Sequence, residues 1–261
     1  MGEDMTDPNA ATELRVLGIG GFPEVRPGDD ITAMVGDRLV ASGLAPEAGD
    51  VLVVTHKVIS KAEGQLVDLE TVVVSPFARR YAEAWDKDPR QVEVVLRQSR
   101  RISRMERGII IAETAHGFVC ANAGVDASNV APGMVCLLPE DPDRSAAAIR
   151  DRLTERFGVA PGIIVSDSFG RAWRNGIVNV AIGVAGLAPL ADYRGEHDPA
   201  GYELRASILA IGDELAAAAE LVMHKLEGRP VALIRGYVPP VDTPAGTGRD
   251  LVMDPTKDLY R

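Results

Sequence analysis

A mixed α/β fold (α+β) is predicted, and three observations predict it. Short aliphatic and β-branched runs recur at 51–55, 163–165 and 231–234. They are too short for helices and apolar on both sides, as strands buried in a sheet are. Stretches of helical periodicity separate them, so helices are available to cover such a sheet. Two runs, 118–121 and 163–166, open into polar loops that each carry an aspartate: Asp126 in 121–129 (Ala-Asn-Ala-Gly-Val-Asp-Ala-Ser-Asn) and Asp167 in 166–171 (Ser-Asp-Ser-Phe-Gly-Arg). Proteins of this class place their chemistry on loops just past the carboxyl ends of strands.

The elements follow in order. Gly18 to Val25 and Pro27 to Asp30 are glycine-rich without the spacing of a Walker A loop or a dinucleotide fingerprint, and read as a turn unless backbone N–H groups there meet a ligand. Strand 51–55 follows a turn at 48–50 and empties into His56, Lys57, Ser60 and Lys61. These are either a solvated strand end with two surface lysines or a phosphate-receiving cluster, since an ammonium is a compact point charge. Residues 75–85 and 89–98 read as helices. Residues 108–113 and 118–121 read as two strands joined by a tight turn, a hairpin that delivers Asp126. Residues 139–143 read as a connector. Ser145 is the expected N-cap of a helix bearing Ile149, Leu153 and Phe157, stopped by Gly158 and Pro161. A strand ending at Asp167 comes next. An Ala-rich helix is expected from about 203 to about 225, with Leu204, Ile208, Ile211, Leu215, Ala219 and Val222 in one stripe. It feeds strand 231–234. From Val238 the chain is proline-rich and aperiodic, a linker or docking arm.

Composition narrows the function. The 261 residues are 46% hydrophobic and 25% charged, ordinary for a globular chain able to bury a core. The formal charge of −10, from 28 basic and 38 acidic residues, argues against nucleic acid or an anionic membrane as partner. A phosphorylated ligand would then need a local basic cluster or a metal. The longest apolar stretch, 177–191, is interrupted by Asn179, Gly183, Gly186 and Pro189 and is too short to span a bilayer. The acidic, polar first dozen residues do not resemble a secretory leader. Cys120 and Cys136 sit in apolar stretches without zinc spacing, so both read as buried thiols of a reducing compartment, the cytoplasm.

Asp126 and Asp167 supply hard oxygen ligands on strand ends, which suits Mg²⁺ or Mn²⁺ held by one or two carboxylates plus substrate phosphates. Ser168 could lend a hydroxyl to a cation, and Asn129 could contact a nucleotide. Arg171 and Arg174 are either surface arginines or recognise phosphate or carboxylate; with Lys61 they are the candidates for a catalytic role. Residues 223–229 are either a Gly-terminated helix end or a ligand loop. His116 and His197 are lone histidines without an assigned role.

Taken in order, 22–25 with 28–30, 49–54 running into 58–64, 122–129, 166–171 and 231–236 resemble the coenzyme F420-0:L-glutamate ligases, and the chain is similar to the N-terminal ligase domain of the bifunctional actinobacterial enzyme. The resemblance covers 14–237, leaving 238–261 as the linker-like or docking tail. It implies GTP-dependent addition of L-glutamate to F420-0 or its dehydro form, then of further γ-linked glutamates, through an acyl phosphate. It also implies two divalent ions, Mg²⁺ or Mn²⁺, with K⁺ as a further ion. By position Asp126 and Asp167 fall on first-metal ligands and Ser168 on a second-metal ligand. Phe22, Pro23, Glu24, Val25, His56, Lys61, Asn129 and the turn Met223, His224, Lys225, Leu226, Glu227, Gly228, Arg229 fall on GTP positions. That turn departs from archaeal relatives, which commonly carry Gly after the Met, and Glu227 is the candidate to replace its metal ligand. The implied fold is the F420 glutamyl-ligase type, an intertwined homodimer with its site near the subunit boundary. In some relatives a flavin-binding domain follows. The competing expectations are a metal-dependent phosphohydrolase and a non-catalytic regulator that binds nucleotide or F420.

Overall fold

The computed structural model describes residues 12–241 and 243–258; the acidic segment 1–11 and the last three residues lie outside them. The chain runs β1 (Arg15–Ile19), α1 (Ile31–Ala41), β2 (Val51–Thr55), α2 (His56–Ala62), β3 (Leu66–Asp68), α3 (Pro76–Trp85), α4 (Pro89–Gln98), β4 (Ser99–Glu106), β5 (Ile109–Thr114), β6 (Val119–Ala121), β7 (Met134–Cys136), α5 (Pro142–Phe157), β8 (Gly162–Arg171), β9 (Arg174–Ala185), β10 (Ala191–Asp192), β11 (Ile208–Leu209), α6 (Ile211–Met223) and β12 (Val231–Arg235).

The mixed α/β class is what forms. A five-stranded sheet in the order β1-β12-β2-β8-β9 is its centre. Only β2 and β8 run parallel, with Thr55 opposite Ser166, so their carboxyl ends emerge side by side. Strand β2 shows why the apolar run is continuous. Leu52 and Val54 pack with Leu39, Ile149 and Leu153 on one face, while Val51 and Val53 pack with Leu215, Ala216 and Ala219 on the other. Successive strand residues point to opposite faces, so a strand covered on both sides has no polar position. A third core joins α3 and α4 to the β4-β5-β6 and β3-β7 sheets through Ala78, Val92, Val95, Ile110 and Val135. Among the described residues no helix is long and apolar enough to cross a membrane.

Several expectations are corrected. The segment after β2 is helix α2, not a strand end. The strand through Asp167 continues to Arg171, because β9 pairs with it from Ile163↔Ala185 to Arg171↔Arg174. The cap of α5 is Asp141, whose carboxylate accepts from Arg144 N at 3.1 Å with Pro142 in the first turn. Ser145 lies inside that helix and donates to Glu63 Oε1 at 2.5 Å. Helix α6 starts at Ile211 rather than 203 and ends at Met223 rather than 225. Ile208 and Leu209 pair instead with β10, and His224 at φ +53 unwinds the end. In the tail, Gly248 N donates to Asp143 Oδ1 at 2.6 Å, so its described part docks on α5 and β9.

Candidate active site

Chemistry converges where β2 and β8 end. Strand β2 turns into α2 without a loop, which sets His56, Lys57, Ser60 and Lys61 on one turn-and-a-half of helix. His56, Ser60 and Lys61 are 2%, 0% and 8% exposed, which rules out a solvated strand end. Positions i and i+4 share a helix face; His56 Nδ1 therefore meets Ser60 Oγ at 3.2 Å, and its Nε2 reaches Asp167 Oδ1 at 3.2 Å. Lys57 donates to Asp126 Oδ2 at 2.5 Å, to Ser128 Oγ at 2.8 Å and to Ser128 O at 3.0 Å. Lys61 donates to Glu24 Oε1 at 2.5 Å.

The β8–β9 pair builds the facing wall. Ser168 stands opposite Asn179 and donates to its Oδ1 at 2.7 Å; Asn179 Nδ2 donates to Glu220 Oε2 of α6 at 2.9 Å. Lys225, freed from the helix by the turn at His224, donates to Ser168 Oγ and lies 3.7 Å from Glu220 Oε1. Asp126 arrives on a different support. It follows three successive left-handed residues, Asn122, Ala123 and Gly124 (φ +53, +50 and +73), and pairs through its backbone with Cys136.

These groups line one cleft of about 620 Å³. Asp126, Asp167 and Ser168 all face it, with Phe22, Pro23, Glu24, Val25, His56, Lys61, Asn129, Met223, His224, Lys225, Leu226, Gly228 and Arg229. Three sequence candidates lie elsewhere. Glu227 is outside the lining and pairs with Arg229 at 2.8 Å. Arg171 and Arg174 face each other at the exposed tip of the β8–β9 hairpin, because that strand overruns the sheet. Asn179 and Glu220 were missed. Their signal was slight: one polar residue inside the apolar run 177–191, and one acid ending an alanine run on α6.

The sequence profile of F420-0:Gamma-glutamyl ligase matches residues 20–236. The chain belongs to this family. It is 48% identical over 251 residues to "Coenzyme F420:L-glutamate ligase" of Methanopyrus kandleri, covering 95% of this chain and 98% of that one. It is 45% identical over 225 residues to the protein of that name in Methanothermobacter thermautotrophicus, covering 86% and 89%. With that of Methanocaldococcus jannaschii it shares 43% over 216 residues, covering 82% and 86%.

The electrostatics of this ligase cleft are balanced between acids and lysines. Burial pushes the Asp126 carboxyl up, but the Lys57 ammonium and the Ser128 N–H and hydroxyl outweigh it and hold the group below the ordinary carboxylate value. Cys120 and Cys136 are free and buried, as expected. Burial, with Asp167 adding to it, pushes the Cys120 thiol up to about 12, and burial raises Cys136 as well. The donors on the cleft walls that are not cationic are mostly oxygens: Asp126, Asp167, Ser168, Asn179 and Glu220. A hard divalent cation prefers such ligands. Among the described residues no three His, Cys, Asp or Glu side chains converge as a ready-made cage. The set therefore fits a cation that takes part of its shell from a bound phosphate.

Proposed function

We propose that this ligase joins L-glutamate to the lactyl carboxylate of F420-0 or its dehydro form at the expense of GTP, and then adds γ-linked glutamates. The supporting observation is that Phe22–Val25, α2, the Asp126 loop, the β8–β9 wall and the turn after α6 meet in one cleft where ammonium groups stand beside carboxylates. In the first step a carboxylate oxygen of the acceptor attacks the γ-phosphorus, the bond to the β–γ bridging oxygen breaks, and GDP leaves. The glutamate amine then attacks the acyl carbon, the C–O bond breaks, phosphate leaves, and the amine gives up its proton to form the amide.

The protein's part is placement and charge. Lys57, Lys61, Lys225 and Arg229 would exchange their present partners for phosphate oxygens, binding the triphosphate as point charges around its chain. His56 holds Asp167 in one orientation, and Asn179 does the same for Ser168. Phe22 and Pro23 give the cleft an apolar flank on which a base could stack. Mg²⁺ or Mn²⁺, two ions with K⁺ as a further one, would be held by Asp126, Asp167 and Ser168. When bound they would neutralise charge that builds on the transferring phosphoryl group. The same reading takes the enzyme as a cytoplasmic homodimer. Trp173 and Ile177, 81% and 57% exposed on the β8–β9 hairpin, support a second copy packing there.

The test is a reaction of the purified protein with F420-0, GTP, Mn²⁺ and L-glutamate, read by mass spectrometry. Products heavier by successive glutamyl units are expected. Loss of GTP without that gain would favour a phosphohydrolase, and no turnover a non-catalytic binder.

A further inference from the structure

A second cavity, of about 240 Å³, shares Asp126 with the cleft and is otherwise lined by different residues. Its floor is apolar and buried, made by Val92, Val95 and Ile110. Its rim carries Lys87, Gln91 and Asn122. Among the described residues none of these three side chains has a hydrogen-bond or ion-pair partner, whereas the neighbouring Arg90 and Arg97 are committed to Asp88 and Glu93. A free ammonium and two free amides around an apolar floor form a receptor for an anion with a short aliphatic body. The volume falls below the roughly 300–1,000 Å³ of pockets for drug-sized ligands, so a nucleotide or an extended coenzyme is too large for it.

We propose that this cavity is the subsite for the incoming amino acid. L-glutamate would set a carboxylate on Lys87 and the rim amides, lay its methylenes over Val92, Val95 and Ile110, and turn its amine towards Asp126, where the two cavities meet. The inference rests on the ligase reading above and extends it. It also gives the strained turn at Asn122 and Ala123 a role, because strain of that kind persists where surrounding structure needs it. The turn puts Asn122 on one cavity and Asp126 on the boundary of both.

Lys87→Met and Gln91→Leu remove the charge and one amide from an exposed and a half-buried position, with no hydrogen bond in the fold lost. The KM for L-glutamate is expected to rise at least about tenfold in Lys87→Met, with the KM values for GTP and acceptor within about twofold of the parent. An unchanged KM for glutamate, or an equal rise for all three substrates, would overturn the subsite while leaving the ligase reading intact. Binding of L-glutamate to the nucleotide-loaded protein, followed by saturation-transfer NMR, gives an answer even if no turnover is found. Signal lost in both variants supports the subsite. Signal kept in both, or absent from the parent, overturns it.

Discussion

His56 and Asp167 are locked together across the parallel pair of strands: Nε2 stands 3.2 Å from Asp167 Oδ1, while Nδ1 stands 3.2 Å from the hydroxyl of fully buried Ser60. With Nε2–H donating to the carboxylate, Nδ1 accepts the Ser60 proton, so a single tautomer satisfies both neighbours. His56→Leu takes the ring acceptor from the Ser60 hydroxyl and frees Asp167. It is expected to cost about 1–3 kcal/mol of stability and to lower kcat, with His56→Gln losing less of both. Urea unfolding and initial rates check this; equal behaviour of the two variants would show that the hydrogen bonds are not what matters.

Asp167→Asn keeps the size and one acceptor but removes the charge. An amide is a weaker ligand for a hard cation, so a loss of about 10²-fold or more in kcat is expected, with the urea midpoint near that of the parent. Asp126→Asn should lose kcat alike, but its urea midpoint should fall at neutral pH because the Lys57 pair loses its charge. Full activity in either variant, measured across a Mn²⁺ titration, would remove that carboxylate from the site.

Glu220→Gln separates two roles for a residue that reaches the cleft from α6. Its carboxylate accepts from Asn179 at 2.9 Å and faces Lys225 at 3.7 Å. If it only fixes Asn179 and Ser168, the glutamine retains an acceptor and the Mn²⁺ concentration at half-maximal rate stays put. If it helps hold a cation, that concentration rises about tenfold, and this is the expected result, because Glu227 lies outside the cleft.

Strands β2 and β12 and helices α3 and α4 were legible because each carries a local cause. The strands are apolar over their first four positions, and Ser75 and Asp88 precede proline at the first helical turn. The site loops were legible through their Gly, Asn and Ser content. Helix α2 was not, since its seven residues are too few for a periodic stripe. Leu204 and Ile208 mimic the spacing of α6 although they precede it, and strand pairing with β10 overrides that local pattern. Strand β4, Ser-Arg-Arg-Ile-Ser-Arg-Met-Glu, is half charged and forms only because β5 pairs along it. The Ser168–Asn179–Glu220 line joins residues far apart in sequence, so no local pattern carried it.

The two thiols should be inert in the folded protein. Cys120 is held up to about 12 and Cys136 is raised, so at pH 8 neither offers appreciable thiolate. Below the ordinary thiol value of 9.0 the folded and unfolded forms are both protonated and no stability depends on these groups. As pH rises above 9.0 only the unfolded chain ionises, and stability falls towards about pH 12. Labelling with a disulfide reagent at pH 8 should be slow in buffer and rapid in urea. Rapid labelling of the native protein would contradict the burial of both side chains.

The opposite sign applies to Asp126. Its folded carboxyl titrates below the ordinary value of 3.8, so the Lys57 and Ser128 bonds contribute fully above 3.8 and are lost as pH falls through the depressed folded value. The stability difference between the parent and Asp126→Asn should therefore be constant from pH 7 to about pH 5 and shrink as acid is added below 3.8. Lys57→Met removes the ammonium and should shrink that loss, because the folded carboxyl is then no longer held as far below 3.8. Urea midpoints collected between pH 3 and pH 7 decide it. A parent–variant gap that widened in acid would mean that burial, not the lysine, governs this carboxylate, and Lys57 would then be free for substrate throughout.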